Sequence, residues 1–341
     1  MWLGSVLLIS NVASLVLASK LPNLTDSEYL FIADRGIALY NRPQIHQPTV
    51  WNTSIRRVGL DYTSPTIIRE FDPFNPWVTT GAHALTHDPT TNQLYIATDR
   101  GIYRTNVDGS NPELVFVTNT QGAWAMSLAV SGGKLYFGTA YDGLIRTLDL
   151  DRGQVEMFMN VSQGLNYPGA IGDIYLSSYT WAAGLAIDGE NEQIYWSTFA
   201  GSLPHGGSIR RATLQPNATD VEVLLQDIYS PGQIRLLSNG DLYWSDGATI
   251  NRARISSSKG ITLEPETLFN SSQSSTMKGD YGIIKIESFT VDEKSQRLWL
   301  SGDDWDSRIV EMGINGGDAM LVIHNSTNIG FPMGLEFISQ S

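Results

Sequence analysis

Five side chains of this chain combine residue types suited to holding a ligand: His83, Trp124, Trp181, Gln233 and Glu287. A few polar groups among aromatic faces are the usual furniture of a small-molecule pocket. Glu287 could also give one oxygen ligand to a divalent cation. Stronger signatures of catalysis are missing. There is no Gly-x-Ser-x-Gly elbow, no His-Glu-x-x-His and no phosphate loop. The five histidines, His46, His83, His87, His205 and His324, have no metal-ligand spacing. Asp303-Asp304-Trp305-Asp306 reads as a solvated acidic turn. No catalytic residue is assigned from the sequence.

The candidates matter only if the chain brings them together, and a repeat predicts that it does. Six segments share an aliphatic, usually an aromatic, a large apolar residue and then two small or polar residues. They begin at Leu30, Leu94, Leu135, Ile194, Leu242 and Leu298, at intervals of 41 to 64 residues. Ahead of three of them runs an apolar strand ending in Asp88, Asp188 or Asp292, each six residues before the anchor. An Asp there can cap the turn by accepting backbone N–H bonds. After the anchor comes an Ile-x-Arg strand, as in Ser208-Ile209-Arg210-Arg211-Ala212 and Thr249-Ile250-Asn251-Arg252-Ala253. A fourth apolar strand follows, such as Val221 to Leu225.

Each unit therefore reads as four strands, A to D, with period-two alternation. A single such sheet cannot bury both faces, whereas six stacked radially can. The expected fold is all-β: a six-bladed β-propeller of four-stranded antiparallel blades. The chain starts at a B strand and ends with Met333-Gly334-Leu335-Glu336-Phe337, an A strand with no B strand after it. The C-terminal strand is thus expected to complete the first blade and hide two edges.

The pattern resembles the YWTD (low-density-lipoprotein-receptor class B) propeller repeat. Tyr243-Trp244-Ser245-Asp246 and Tyr195-Trp196-Ser197-Thr198 are its nearest copies, each followed by the Ile-x-Arg-Ala strand. The resemblance spans about residues 28 to 338. The cysteine-rich modules that flank this propeller in the receptors are absent here.

Within that fold the repeated aromatics are expected to serve blade packing, and the repeated Arg146, Arg210 and Arg252 to be structural partners for carboxylates or carbonyls between blades. Ligand-binding residues should instead break the repeat. The A strands line the central channel, and counting back from the turn gives a ring of His83, Ala125, Ala183, Gln233, Glu287 and Met333, with Trp124 and Trp181 just ahead. The leading expectation is a binding or scaffold module for a small molecule, glycan or peptide at one channel mouth. The alternative is a metal-dependent, lactonase-like enzyme using the same channel. Gluconolactonase-type propellers hold a divalent cation there with a Glu, two Asn and an Asp, and Glu287 would be the one carboxylate of that set.

The address comes from the N-terminus and the sequons. Val6 to Leu17 is largely apolar and Val16-Leu17-Ala18 suits signal peptidase, so residues 1–18 are expected to be a signal peptide and 19–341 one propeller domain. Glycan acceptors are expected at Asn23, Asn52, Asn160, Asn217, Asn270 and Asn325, all outside the anchor strands. This predicts a secreted glycoprotein. The formal charge of −13 and the absence of basic runs argue against a nucleic-acid partner. No cysteine is present, which excludes disulfides, thiolate metal sites and cysteine nucleophiles.

Overall fold

A computed structural model of the chain describes residues 28–35, 53–62, 65–71, 81–118, 124–140, 142–161, 180–200, 206–256, 260–273, 285–303, 308–323, 329 and 332–339. The expected signal peptide, Asn23, Asn52, Asn325, His46, His205, His324 and Asp304 to Asp306 lie outside them.

Six antiparallel sheets of four strands each are formed. The first blade holds β1 (Glu28–Asp34), β2 (Ser54–Gly59) and β3 (Thr66–Glu70). The second runs β4 (Ala82–Asp88), β5 (Gln93–Thr98), β6 (Gly101–Asn106) and β7 (Glu113–Val117), and the third β8 (Ala125–Ser131), β9 (Lys134–Thr139), β10 (Leu144–Asp149) and β11 (Val155–Asn160). The fourth comprises β12 (Thr180–Asp188), β13 (Gln193–Ala200), β14 (Gly207–Thr213) and β15 (Glu222–Ile228). The fifth is β16 (Pro231–Leu236), β17 (Asp241–Asp246), β18 (Thr249–Ser256) and β19 (Gly260–Asn270). The sixth is β20 (Lys285–Asp292), β21 (Arg297–Asp303), β22 (Arg308–Gly313) and β23 (Met320–Ile323). The last strand, β24 (Pro332–Ser339), pairs antiparallel with β1, with Leu30 opposite Phe337 and Asp34 opposite Pro332. The ring is therefore closed by the C-terminal strand, as its missing partner in the first repeat predicted.

The anchor segments are the B strands, and period-two alternation sends their side chains to opposite neighbours. On β13, Tyr195 packs into the apolar cluster shared with the fifth blade, while Trp196 packs into the one shared with the third. Six such clusters join the six pairs of adjacent blades. The repeated aromatics are thus the packing elements expected of them. Burial raises the phenol pKa of Tyr95, Tyr195 and Tyr243, as it should for rings sealed between sheets.

The turn caps form as read. Asp88 Oδ1 accepts from Thr90 N–H at 2.9 Å, Asp188 Oδ1 from Asn191 N–H at 3.0 Å and Asp292 Oδ1 from Lys294 N–H at 3.0 Å. The Ile-x-Arg guanidinium groups pair with carboxylates, mainly within a blade. Arg104 meets Glu113, Arg211 meets Glu222 at 2.6 Å, and Arg252 meets Glu266, in each case across the C–D strand pair. Two of them also reach the next blade: Arg211 donates to Ser256 O at 2.5 Å and Arg252 to Asn315 Oδ1 at 2.5 Å. Arg146 pairs with Asp142, and Arg210 donates to Ser208 Oγ at 3.0 Å.

Blade contact near the axis requires small residues. A Cβ on Gly184 would sit 2.6 Å from Gly232 O, and one on Gly334 would sit 2.8 Å from Leu85 N. At the junction of the first and sixth blades, Trp299 stacks on Phe337 with centroids 4.9 Å apart. Its indole N–H donates to Tyr62 Oη at 2.8 Å, and Tyr62 donates to Glu311. Burial, reinforced by that carboxylate, pushes the Tyr62 phenol far above its ordinary value. Among the described residues, no helix is long and apolar enough to cross a membrane.

Candidate functional site

Every inner strand carries a β-bulge near its start. The pairing register shifts around His83 on β4, Met126 on β8, Ala183 on β12, Gly232 and Gln233 on β16, Glu287 on β20, and Met333 on β24. A bulge leaves one residue unpaired and re-aims its side chain. His83, Met126, Ala183, Gln233, Glu287 and Met333 all line one cavity on the axis of the ring. The site is thus built by a repeated backbone irregularity, and its chemistry varies because the bulged residue varies.

One member of the expected ring is displaced. Ala125 pairs with Thr139 and is fully buried between the second and third blades, and Met126 takes its place in the channel. The channel residue lies five positions before the strand end at Asp88, Ser131, Asp188 and Asp292 alike, but the β8–β9 turn, 132–133, is shorter than 89–92 or 189–192 and no Asp marks the end of β8 in the sequence.

His83 is held in place on both sides. Its Nε2 lies 2.5 Å from Asp99 Oδ1, and Asp99 Oδ2 accepts from Gly81 N–H at 2.9 Å. Trp124 of the neighbouring blade stacks on the imidazole, with centroids 5.9 Å apart and planes 11° from parallel. The pair is almost entirely buried. Asp99 stands in the β5–β6 turn, so the pair ties the bulge to the channel mouth.

Gln233 plays two parts. It lines the cavity, but its Oε1 accepts from Ser288 Oγ at 2.7 Å and from Phe289 N–H at 2.9 Å, both on β20. Ser288 Oγ in turn accepts from Leu335 N–H at 2.9 Å on β24. Ser127 makes the corresponding link from the third blade, donating to Ala182 O at 2.7 Å. Ser127 and Ser288, each next after a bulge, are therefore inter-blade struts, and Gln233, itself a bulged residue, serves as a third.

Glu287 is paired with Lys285 two residues away, at 2.8 Å. Trp181 lies two residues ahead of Ala183 on β12, as Trp124 lies two ahead of Met126. It is partly exposed and is not among the cavity-lining residues. Four of the five candidates thus converge, three on the cavity and Trp124 through its stack on His83, while Trp181 stands at the adjacent strand start.

Arg235 was not singled out by the sequence reading. It lines the cavity and donates to Glu336 Oε2 at 2.5 Å and to Leu335 O at 3.3 Å. A signal existed: the equivalent positions in the other inner strands are Thr86, Ala129, Ala186, Thr290 and Glu336, so the two charged residues among the six are the two that pair.

The cavity is small, about 40 Å³. One water needs on the order of 10–15 Å³, so the channel has room for a few waters. A drug-sized ligand needs several hundred Å³. The inner strands start, and the B strands end, at the face nearest the bulges. The opposite face carries the tight turns 89–92, 132–133, 189–192, 237–240 and 293–296.

No family model matches the chain, and no curated protein matches it. Among solved structures, a chain of a nidogen/laminin complex is similar with a TM-score of 0.61 at 13% identity, covering 92% of this chain and 99% of that one. A protein of unknown function from Bacteroides caccae gives 0.60 at 12% identity, with the same coverage of 92% and 99%. Regucalcin, a calcium-binding protein from Agrobacterium tumefaciens strain C58, gives 0.51 at 14% identity, covering 70% of this chain and 73% of that one. At such identities the likeness is one of fold, and it agrees with the sheet order: this chain is a closed six-bladed β-propeller.

Proposed function

We propose that the chain is an exported, N-glycosylated propeller of the YWTD class that binds a small molecule, glycan or peptide across the mouth of its channel formed by the bulged strands. The observation that carries this reading is the ring of bulges. Packing positions repeat from blade to blade, whereas the re-aimed residues are a histidine, two methionines, an alanine, a Gly-Gln pair and a glutamate. Packing of like blades needs like residues, while an asymmetric ligand needs unlike ones. The cavity volume supports a ligand seated over the mouth rather than within the channel. Likeness to a chain of a nidogen/laminin complex supports partner binding.

The metal-dependent alternative draws support from the likeness to a calcium-binding propeller. Its site would need several oxygen ligands around one point. The cavity lining contributes one carboxylate, Glu287, and neither Asp nor Asn. Among the described residues, no group of three or more His, Cys, Asp or Glu converges. Binding is therefore the better-supported function.

The test is a thermal-shift screen of oligosaccharides, short peptides and metabolites on protein purified from a secretory eukaryotic host. A binder whose stabilisation is lost in Glu287→Gln or Trp124→Ala supports the mouth site. Stoichiometric divalent cation together with lactone turnover would establish the alternative instead. Mass spectrometry of the same material should find the mature terminus at Ser19 and sugars on several of the six sequons; an intact Met1 and unmodified Asn217 and Asn270 would refute export.

A further inference from the structure

Among the described residues, the outer strand of the third blade pairs with no strand on its outer side and carries an apolar surface. On β11, Val155 is 39% and Met157 52% exposed, and Glu156 between them is the strand's one charged residue. Unpaired strand edges of this kind recruit other strands, and proteins usually blunt them with charge, proline or a cover. The fifth blade follows that rule, since β19 carries Pro265 between Glu264 and Glu266. β11 has no proline and a single charge, Glu156.

What stands beside β11 is a sequon. The connection from β14 to β15 in the fourth blade crosses to the third, where Asn217 N–H donates to Phe158 O at 2.8 Å, next to Met157 on the β11 backbone. Ala218 is buried in the cluster containing Phe158, Met159 and Val161. This clamps Asn217 against the edge in the left-handed conformation that Asn tolerates, with φ of 55°. Asn217 and Thr219, the two recognition residues of the sequon, are both exposed. A second sequon begins at Asn160, the last residue of β11.

We infer that the glycan on Asn217 is the cover of this edge: the sugar, anchored one residue from Met157, shields Val155 and Met157 and keeps two copies of the chain from pairing through β11. The inference rests on the export and glycosylation read above. Two properties of an N-linked glycan suit the role. It is bulky and well hydrated, so it opposes strand addition sterically. The chitobiose core also presents apolar faces to Met157, a side chain that adapts to irregular surfaces.

The experiment uses full-length protein secreted from a eukaryotic host, with Thr219→Ala as the principal variant. This removes the acceptor signal while leaving Asn217 and its backbone conformation in place. Glycopeptide mass spectrometry reads occupancy, and sedimentation velocity over a concentration series reads association. The expected result is loss of the Asn217 glycan, an unchanged melting temperature, and self-association at a concentration lower by on the order of tenfold, as exposure of two large apolar side chains warrants. Adding Met157→Lys to Thr219→Ala should restore the monomer. An unoccupied Asn217 in the parent would overturn both the glycosylation reading at this site and the shield. A variant that loses its glycan yet stays monomeric, or associates and is not rescued by Met157→Lys, would overturn the shield while leaving glycosylation standing.

Discussion

Arg235 on β16 of the fifth blade reaches inside the sixth blade to Glu336 on β24 of the first, with Nη2 2.5 Å from Oε2. The pair lies where the C-terminal strand closes the ring, and both side chains are largely withdrawn from solvent. Removing one partner leaves the other charge poorly solvated, which costs more than the pair itself is worth. Arg235→Ala should therefore lower stability by about 1–3 kcal/mol in urea denaturation, and the double variant with Glu336→Gln should recover part of that loss. Strictly additive losses would show that the two residues are not coupled.

Closure by β24 sets a second expectation. Leu335 and Ile338 are buried in the clusters that join the first blade to the sixth and second. Deleting residues 332–341 uncovers those clusters and the inner edge of β1 together. The truncated protein should show no cooperative thermal transition by circular dichroism. An unchanged melting temperature would mean that the ring does not depend on the shared blade.

Packing and site residues should separate on mutation. Trp244 is 4% exposed between the fourth and fifth blades, so Trp244→Ala should cost about 3–5 kcal/mol. Glu287 pairs with the half-exposed Lys285, and Glu287→Gln should cost less than about 1 kcal/mol while altering ligand binding at the mouth. Denaturation curves of both variants decide the matter, and the reverse ranking would invalidate the division into packing and binding positions.

Asp241 supplies a pH dependence. Burial alone would raise its pKa, but hydrogen bonds from Arg254 at 2.7 and 3.0 Å and from Asn239 at 3.0 Å outweigh this and hold the carboxyl below its usual range. The folded value thus lies below the unfolded one of about 3.9. The stabilisation is fully present above the unfolded value and is lost as pH falls through the folded one. Asp241→Asn should be less stable than the parent by about 1–2 kcal/mol at neutral pH, a modest figure because Arg254 is half exposed. The gap should narrow below pH of about 4. A gap that stays constant into strong acid would contradict the assignment.

The sequence by itself determined the architecture, because each of its signals is local. An anchor such as Ile194-Tyr195-Trp196 must bury alternate residues on both faces, and Asp188 six residues ahead must cap its hairpin, whatever the rest of the chain does. The orphan strand at Met333 to Phe337 then had one edge to fill, and it pairs with β1. Tertiary structure alone decided the site. The short β8–β9 turn has no Asp to mark the end of β8, so counting back from the turn placed Ala125 in the channel where the structure places Met126. Gln233 was legible as a break in the repeat, but its bonds to Ser288 and Phe289 depend on how closely two blades approach at the axis. Arg235 and Glu336, 101 residues apart, could be matched only once closure had set the fifth and first blades on either side of the sixth. Partners across the axis are chosen by the geometry of the closed ring, and no local pattern encodes that geometry.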